Sequence, residues 1–532
     1  MKINLNKKKG YKVILLAFLF TMLLITFVLK VSSGSIVDDL LFNGYSNDAA
    51  VTAFRYIAVI VYVVTLLIYS LSFYLFVKRE INYSLLFSVL VFVLGLIYLV
   101  IITPFSPPDE VTHYLATYRV SNMLLFKDPD LADSTFLNYD VFSVHNNTFR
   151  SFLQVLTNIP FPAEIGNPVQ LDTISAISHS YPPEYIGPAI GFTVARLLHC
   201  NFMVTFYLGR LFGLLFFAFC VFLSVRRVPK FKLTFGLLSI TPMALQQAAS
   251  YSYDGFINGI SLFLISGLIY IYVNEHEMTF WDYLCVLIPA VLLAPAKGVF
   301  GFIILPVVVL FLLMIPASRY SCRLKKMLSV MLVIVCVTGM FFIFKSPSTT
   351  GNVFSVSEQP LEALPESESV ELTGINKIVY EPITTIRVFQ STLHSLTVSW
   401  LFESIGSVLS GISLAVPSWI IMLYILIIAL SVLHKRGEGT TFSLCSRIVI
   451  FGGVLSYVLV VMVALYLTWT PYGSDTVAGI QGRYFIPVLP LLFLCLENSI
   501  VTVQRKIDKY LILLFVMLQA RTMLFIVNFT VF

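Results

Sequence analysis

Charge is what this sequence has least of. Only 12% of its 532 residues are Asp, Glu, Lys or Arg, against about 25% in soluble globular domains, which excludes an ordinary water-soluble fold. Paired cysteines are missing as well. The seven cysteines, Cys200, Cys220, Cys285, Cys322, Cys336, Cys445 and Cys495, stand singly in or beside apolar runs with no Cys-x-x-Cys. They support neither a disulfide framework nor a zinc site and read as small buried hydrophobes. No internal repeat and no matched pair of interrupted helices is visible, which disfavours an inverted-repeat transporter.

What is there is apolar: 58% of the chain is hydrophobic. Runs of span length fall at 12–31, 53–77, 83–103, 203–225, 233–249, 255–273, 283–296, 298–316, 327–345, 412–433, 447–468, 484–501 and 510–530, so the expectation is an all-α polytopic membrane protein of about thirteen helices. The first run follows Lys7, Lys8 and Lys9 but lacks a small-residue cleavage site, and is read as a retained helix. Bases cluster at Lys7 to Lys9, Lys78 and Arg79, Arg226 to Lys232, Arg319 to Lys326, Lys435 and Arg436, and Arg505 to Lys509. The positive-inside rule places all of them, and the N-terminus, on the cytoplasmic side. These short inner loops explain the net charge of +6 without a nucleic-acid partner.

The whole chain, 1–532, then reads as one membrane domain with two larger outer loops, 104–185 and 346–410. Connections this long are where function is sought first. The acidic stretch with Glu358, Glu362, Glu366, Glu368 and Glu371 reads as a solvated part of the second.

The first loop opens with Pro104-Phe105-Ser106-Pro107-Pro108-Asp109-Glu110-Val111-Thr112-His113-Tyr114. Ser106 is expected to N-cap a short helix, with prolines in its first turn and Asp109 at the positive end of its dipole. Val111, Tyr114, Leu115 and Tyr118 share one face, which would let the helix lie in the membrane interface, while Asp109 and His113 fall four apart on a common side. Asp109 could equally do no more than favour the helix terminus. The Glu-x-x-His of Glu110 and His113 lacks the second copy that a di-iron site requires.

Further rare polar residues fall at the same side of the topology. His179 and Glu184 lie in His179-Ser180-Tyr181-Pro182-Pro183-Glu184-Tyr185, and Asp254 follows Ser250-Tyr251-Ser252-Tyr253. Lys297 interrupts an apolar stretch in Ala294-Pro295-Ala296-Lys297-Gly298, and Arg483 with Tyr484 precedes a span in Gln481-Gly482-Arg483-Tyr484-Phe485-Ile486-Pro487. Singly, Lys297 and Arg483 could snorkel to headgroups and Asp254 could cap a helix. Together they point to a shared polar cavity, because ionisable groups beside apolar spans are costly unless they pair in one.

These motifs, Pro107-Pro108-Asp109-Glu110 with His113, the 179–185 segment, the Asp254 turn, the Lys297 interruption and Gly482-Arg483-Tyr484-Phe485-Ile486-Pro487, resemble a bacterial family of polytopic membrane proteins over about residues 80–500. That family is similar to the GT-C superfamily of membrane glycosyltransferases. The resemblance implies a GT-C-like multi-span fold, a site on the non-cytoplasmic face, a polyprenyl-phosphate-linked sugar as donor, and a catalytic acid in the first large outer loop, here Asp109 with Glu110 beside it. One departure is that this loop follows the third span, whereas in many GT-C enzymes it follows the first.

The expected function is transfer of a sugar from a polyprenyl-phosphate carrier to a cell-envelope polysaccharide or glycolipid, on the outer face of a bacterial plasma membrane. Asp109 would be the general base, with Glu110 beside it. His113, His179, Glu184, Asp254 and Tyr484 would bind substrate, and Lys297 and Arg483 would hold the carrier phosphate. A divalent cation, Mg or Mn, held by Asp109, Glu110 and His113 is left open. The rival readings are a polymerase or ligase of lipid-linked oligosaccharides, a transporter or flippase, and a scaffold without catalysis.

Overall fold

The fold is that of a computed structural model, which describes residues 2–77, 80–133, 136, 168–170, 181–274, 279–296, 375–411, 414–435, 442–497, 500–503 and 507–531. The helices in chain order are α1 (Lys2–Phe42), α2 (Asn47–Val77), α3 (Tyr83–Ile101), α4 (Glu110–Leu124), α5 (Ile186–Leu197), α6 (Phe202–Arg227), α7 (Lys232–Ser239), α8 (Pro242–Ala248), α9 (Tyr253–Val273) and α10 (Phe280–Leu293), followed by α11 (Ile375–Tyr380), α12 (Pro382–Ile405), α13 (Ser418–Val432), α14 (Leu444–Thr468), α15 (Leu489–Leu494) and α16 (Ile507–Val531). Two 3-10 turns, Pro182–Tyr185 and Gly482–Val488, lead into α5 and α15. Strand pairing is confined to short pieces, among them the hairpin β1 (Val408–Leu409) with β2 (Leu414–Ala415).

Seven of these helices, α1, α2, α3, α6, α9, α14 and α16, carry an apolar stretch long enough to cross a membrane. Three shorter apolar segments, Phe280–Leu293, Ser418–Val432 and Gly482–Leu494, accompany them. The protein is therefore an all-α membrane protein, as composition required. Asn82, Asn201 and Ser443 each cap a span by accepting a backbone N–H near its start. At the centre α6 packs between α3 and α9, with α5 laid across it and α16 behind α2 and α3.

Thirteen continuous spans are not what the described residues form. The 233–249 run is split into α7 and α8 at Thr241-Pro242, where proline removes a helical N–H and its ring obstructs the preceding turn. The 484–501 run, with Pro487 and Pro490, starts as a 3-10 turn and its helix ends at Leu494. The 412–433 run begins its helix only at Ser418, after the hairpin. The runs at 298–316 and 327–345 and the acidic stretch at 357–371 lie outside the described residues.

The 346–410 connection is not all loop: α12 occupies its later part. Its hydroxyl residues dilute the apolar signal, yet they suit a helix because Thr385, Thr392 and Ser395 each donate to the carbonyl four residues back. Among the described cysteines Cys200 and Cys220 are buried as expected, whereas Cys445 is exposed.

Candidate functional site

The Pro104 to Tyr114 segment folds differently from its sequence reading. The helix starts at Glu110, not after Ser106, whose hydroxyl donates to the Thr103 carbonyl and meets the Ser410 hydroxyl. Asp109 is the last residue before α4 and stands in the left-handed region at φ 59°, making no side-chain capping bond. Short polar residues such as Asp tolerate this backbone better than most. The apolar face of α4 meets protein rather than lipid. Tyr114 and Tyr118 are fully buried in an aromatic cluster with Phe105, Phe192, Phe202, Phe206 and Tyr251, because α5 and α6 fold back over them.

Asp109 and Glu110, neighbours in sequence, go to opposite places. Glu110 is completely buried and is saturated with donors. Its Oε1 accepts from Arg210 Nε at 2.9 Å and from the Tyr251 N–H at 3.0 Å; its Oε2 accepts from Arg210 Nη2 at 2.6 Å and from the Phe105 N–H at 2.7 Å. Arg210, also fully buried, gives its remaining protons to the carbonyls of Ile102 at 2.8 Å, Thr103 at 3.2 Å and Leu99 at 3.4 Å. The pair thus ties the end of α3, the start of α4 and the turn before α9 together. Glu110 has no surface left for a ligand.

Asp109 faces outward, its side chain 61% exposed, and its Oδ2 accepts from Arg483 Nη2 at 3.0 Å. Arg483 comes from the 3-10 turn Gly482–Val488 and is only 7% exposed; its Nε lies 3.7 Å from Asp254 Oδ2, at the N-terminus of α9. At that distance no hydrogen bond forms, and Nε has no hydrogen-bond partner among the described residues. Asp254 is steadied by Gln247 Nε2 at 3.3 Å, and the Gln247 carbonyl oxygen accepts from Asn258 at 2.7 Å. Positions 109, 254 and 483 are therefore brought together.

His113 does not join the Asp109 carboxylate. It is buried, its Nδ1 sits 3.0 Å from the Tyr185 hydroxyl, and its ring packs edge-on against Tyr253 at 4.5 Å. Burial first, then the charges of Glu184, Asp254 and Asp109, push the Tyr185 phenol well above its ordinary value, so it keeps its proton at neutral pH. Glu184 is buried beside it. Tyr484 uses its carbonyl to accept from the Tyr457 hydroxyl at 2.7 Å, with its ring 5.6 Å from the Arg483 guanidinium. His179 and Lys297 lie outside the described residues. Asp109, Glu110 and His113 do not converge as a ligand set, and among the described residues no three His, Cys, Asp or Glu side chains do.

Arg483 lines an open cavity of about 150 Å³, room for roughly ten water-sized sites. Its other walls are the Pro107-Pro108 turn, Gln246 and Gln247 of α8, Glu403 of α12 and the hairpin tip at Ser410 and Gly411. The hairpin tip is tight: Gly411 has φ +62°, and a Cβ there would stand 2.7 Å from the Ser106 carbonyl oxygen. On the opposite wall a Cβ on Gly482 would meet Glu403 Cβ at 2.3 Å and the Trp400 carbonyl oxygen at 2.5 Å, so glycine is what allows Arg483 to be carried this close to α12.

Glu403, Gln246 and Arg210 escaped the sequence reading. Arg210 carried a signal, a lone base inside the 203–225 apolar run, where charge is expensive. Gln246 and Gln247 carried a weaker one, as a polar pair in an apolar run. Glu403 carried none, because the helix that presents it was read as loop.

A family model described as a predicted membrane protein, DUF2142, matches residues 92–492. The match takes in α4 through α14 and every described side chain of the site, and the chain belongs to that family. No curated protein and no solved structure matches it.

Proposed function

We propose that this DUF2142 chain is a membrane glycosyltransferase of the GT-C kind, which moves a sugar from a polyprenyl-phosphate carrier to a cell-envelope polysaccharide or glycolipid at the outer face of a bacterial plasma membrane. The observation that carries the reading is the buried Arg483 guanidinium on the wall of an open cavity, bonded through Nη2 to an exposed carboxylate, Asp109. A guanidinium donor beside a carboxylate base is the pairing that cleavage of a sugar phosphate calls for.

In the proposed reaction the Asp109 carboxylate takes the proton of the acceptor hydroxyl. The acceptor oxygen bonds to the anomeric carbon as the bond from that carbon to the phosphate oxygen breaks. The electron pair leaves with the carrier phosphate, whose growing charge Arg483 stabilises. Asp254 sets the pose of Arg483, and Glu110 through Arg210 holds the turn that presents Asp109. Lys297 keeps its proposed role as a second phosphate contact. The basic clusters support the outer-face orientation.

A lipid-linked oligosaccharide polymerase or ligase would use the same groups. A flippase finds less support: its polar groups belong near mid-membrane, whereas Arg483, Asp109 and Asp254 sit where α4 and α9 begin.

The test is incorporation of labelled sugar from a polyprenyl-phosphate donor by membranes carrying the wild type or Asp109→Asn. Transfer by the wild type and its loss in Asp109→Asn, with normal expression, supports the reading. Equal incorporation by both refutes it. Glycan mass spectrometry of a deletion strain separates the rivals: a missing side-branch sugar favours the transferase, shortened chains the polymerase.

A further inference from the structure

The cavity holds a carboxylate that the proposed chemistry leaves unused. Glu403 is half-buried on α12, and its Oε2 accepts the Gly482 N–H at 2.8 Å. Its Oε1 takes no hydrogen bond from the described residues, and Glu403 lines the cavity. Gln246 lies on the same wall, with its carbonyl oxygen occupied by the Ser410 N–H at 2.9 Å. That bond fixes the amide so that the NH2, two donors, is the end left for the cavity. Arg483 adds a third group, the guanidinium that lines the same cavity.

A carboxylate oxygen that only accepts, an amide that only donates and a guanidinium form the set that reads a polyol phosphate: hydroxyl hydrogens go to Glu403, hydroxyl oxygens to Gln246, and the phosphate to Arg483. The charge balance narrows the ligand further. Asp109 and Asp254 already face the Arg483 guanidinium, Glu403 adds a further carboxylate to the cavity wall, and no other base lines the cavity among the described residues. Once that guanidinium, and Lys297 in its proposed role, serve the carrier phosphate, a second anion on the sugar would face Glu403 without compensation.

We propose that Glu403 and Gln246 are the sugar-reading residues of this site, and that the sugar they accept is a non-acidic hexose whose hydroxyl donates to Glu403, with uronic acids refused. This rests on the transferase reading and adds to it the class of sugar.

The experiment uses the full-length protein in lipid nanodiscs with three probes of equal chain length: polyprenyl phosphate, polyprenyl-phosphate glucose and polyprenyl-phosphate glucuronate. The variants are Glu403→Gln, which keeps an oxygen for the Gly482 N–H, and Gln246→Leu, with thermal melting to verify folding. The wild type should bind the glucose donor at least tenfold tighter than the glucuronate donor. Glu403→Gln should raise the KM for the glucose donor about tenfold or more, lower kcat less, and narrow the discrimination, as loss of a charge-assisted hydrogen bond predicts. Equal preference in wild type and Glu403→Gln, or a wild type that favours glucuronate, overturns the proposal while binding of bare polyprenyl phosphate leaves the transferase reading standing. Failure of all three probes to bind overturns both.

Discussion

Two arginines meet carboxylates a short way apart in this protein, and they are built to opposite ends. Arg210 and Glu110 are both fully buried, and their five nitrogen and oxygen atoms all have partners. Arg483 and Asp109 share one bond, the buried Nε of Arg483 has only a longer ion pair with Asp254, and Asp109 opens onto solvent. The first pair encloses its charges completely and so can only hold structure. The second is left incomplete at a place a ligand can reach. What separates an architectural ion pair from a candidate site here is the unspent hydrogen-bonding capacity, since both pairs are charged and both sit at the same end of the helices.

The widest gap between the pairs should appear in stability. Glu110→Gln leaves the buried Arg210 charge uncompensated and is expected to cost about 3–5 kcal/mol, read as a lowered unfolding midpoint in detergent or nanodiscs. Asp109→Asn removes a charge from an exposed position whose left-handed backbone Asn also accepts. It should leave that midpoint within about 1 kcal/mol of wild type while transfer falls about a hundredfold or more. A variant set in which Asp109→Asn also unfolds the protein would erase the distinction.

Gly482→Ala tests how the open pair is carried. The added methyl collides with Glu403 and the Trp400 carbonyl, and overpacking of this kind costs about 1–3 kcal/mol. It should also displace Arg483, so donor KM should rise along with the loss of stability. The smallest effect is expected at Tyr484, whose contact with its neighbours includes a bond made by its backbone carbonyl. Tyr484→Phe should keep that bond and shift donor KM by less than about threefold, the scale of a weak or solvent-shared contact.

Much of this was legible in the sequence, for physical reasons that differ residue by residue. Apolar run length reports spans directly, which is why α2, α3, α6, α9, α14 and α16 stand close to where the runs place them. Asp109, Asp254 and Arg483 could be gathered across 374 positions because alternating spans return the chain to one end. Run length does not report breaks, so Pro242, which divides α7 from α8, leaves no mark in it. Nor does it see a helix built from Thr and Ser such as α12, and the cavity wall with Glu403 went with it. Asp109 and Glu110 read as a pair because sequence adjacency says nothing about direction when one of the two has a left-handed backbone.

That backbone at Asp109 fixes the phase of everything around it. A single peptide separates a side chain committed to the interior from one committed to the surface, so the segment tolerates no slip in count. Deleting Pro108 or inserting one residue before Val111 would carry Glu110 into the place of Asp109 beside Arg483 and leave Arg210 without its acid, damaging both sites with the composition nearly unchanged. The spacing between the prolines and the two acids is thus a constraint in its own right, and the cheapest way to disable this protein is a one-residue change in its length at that point.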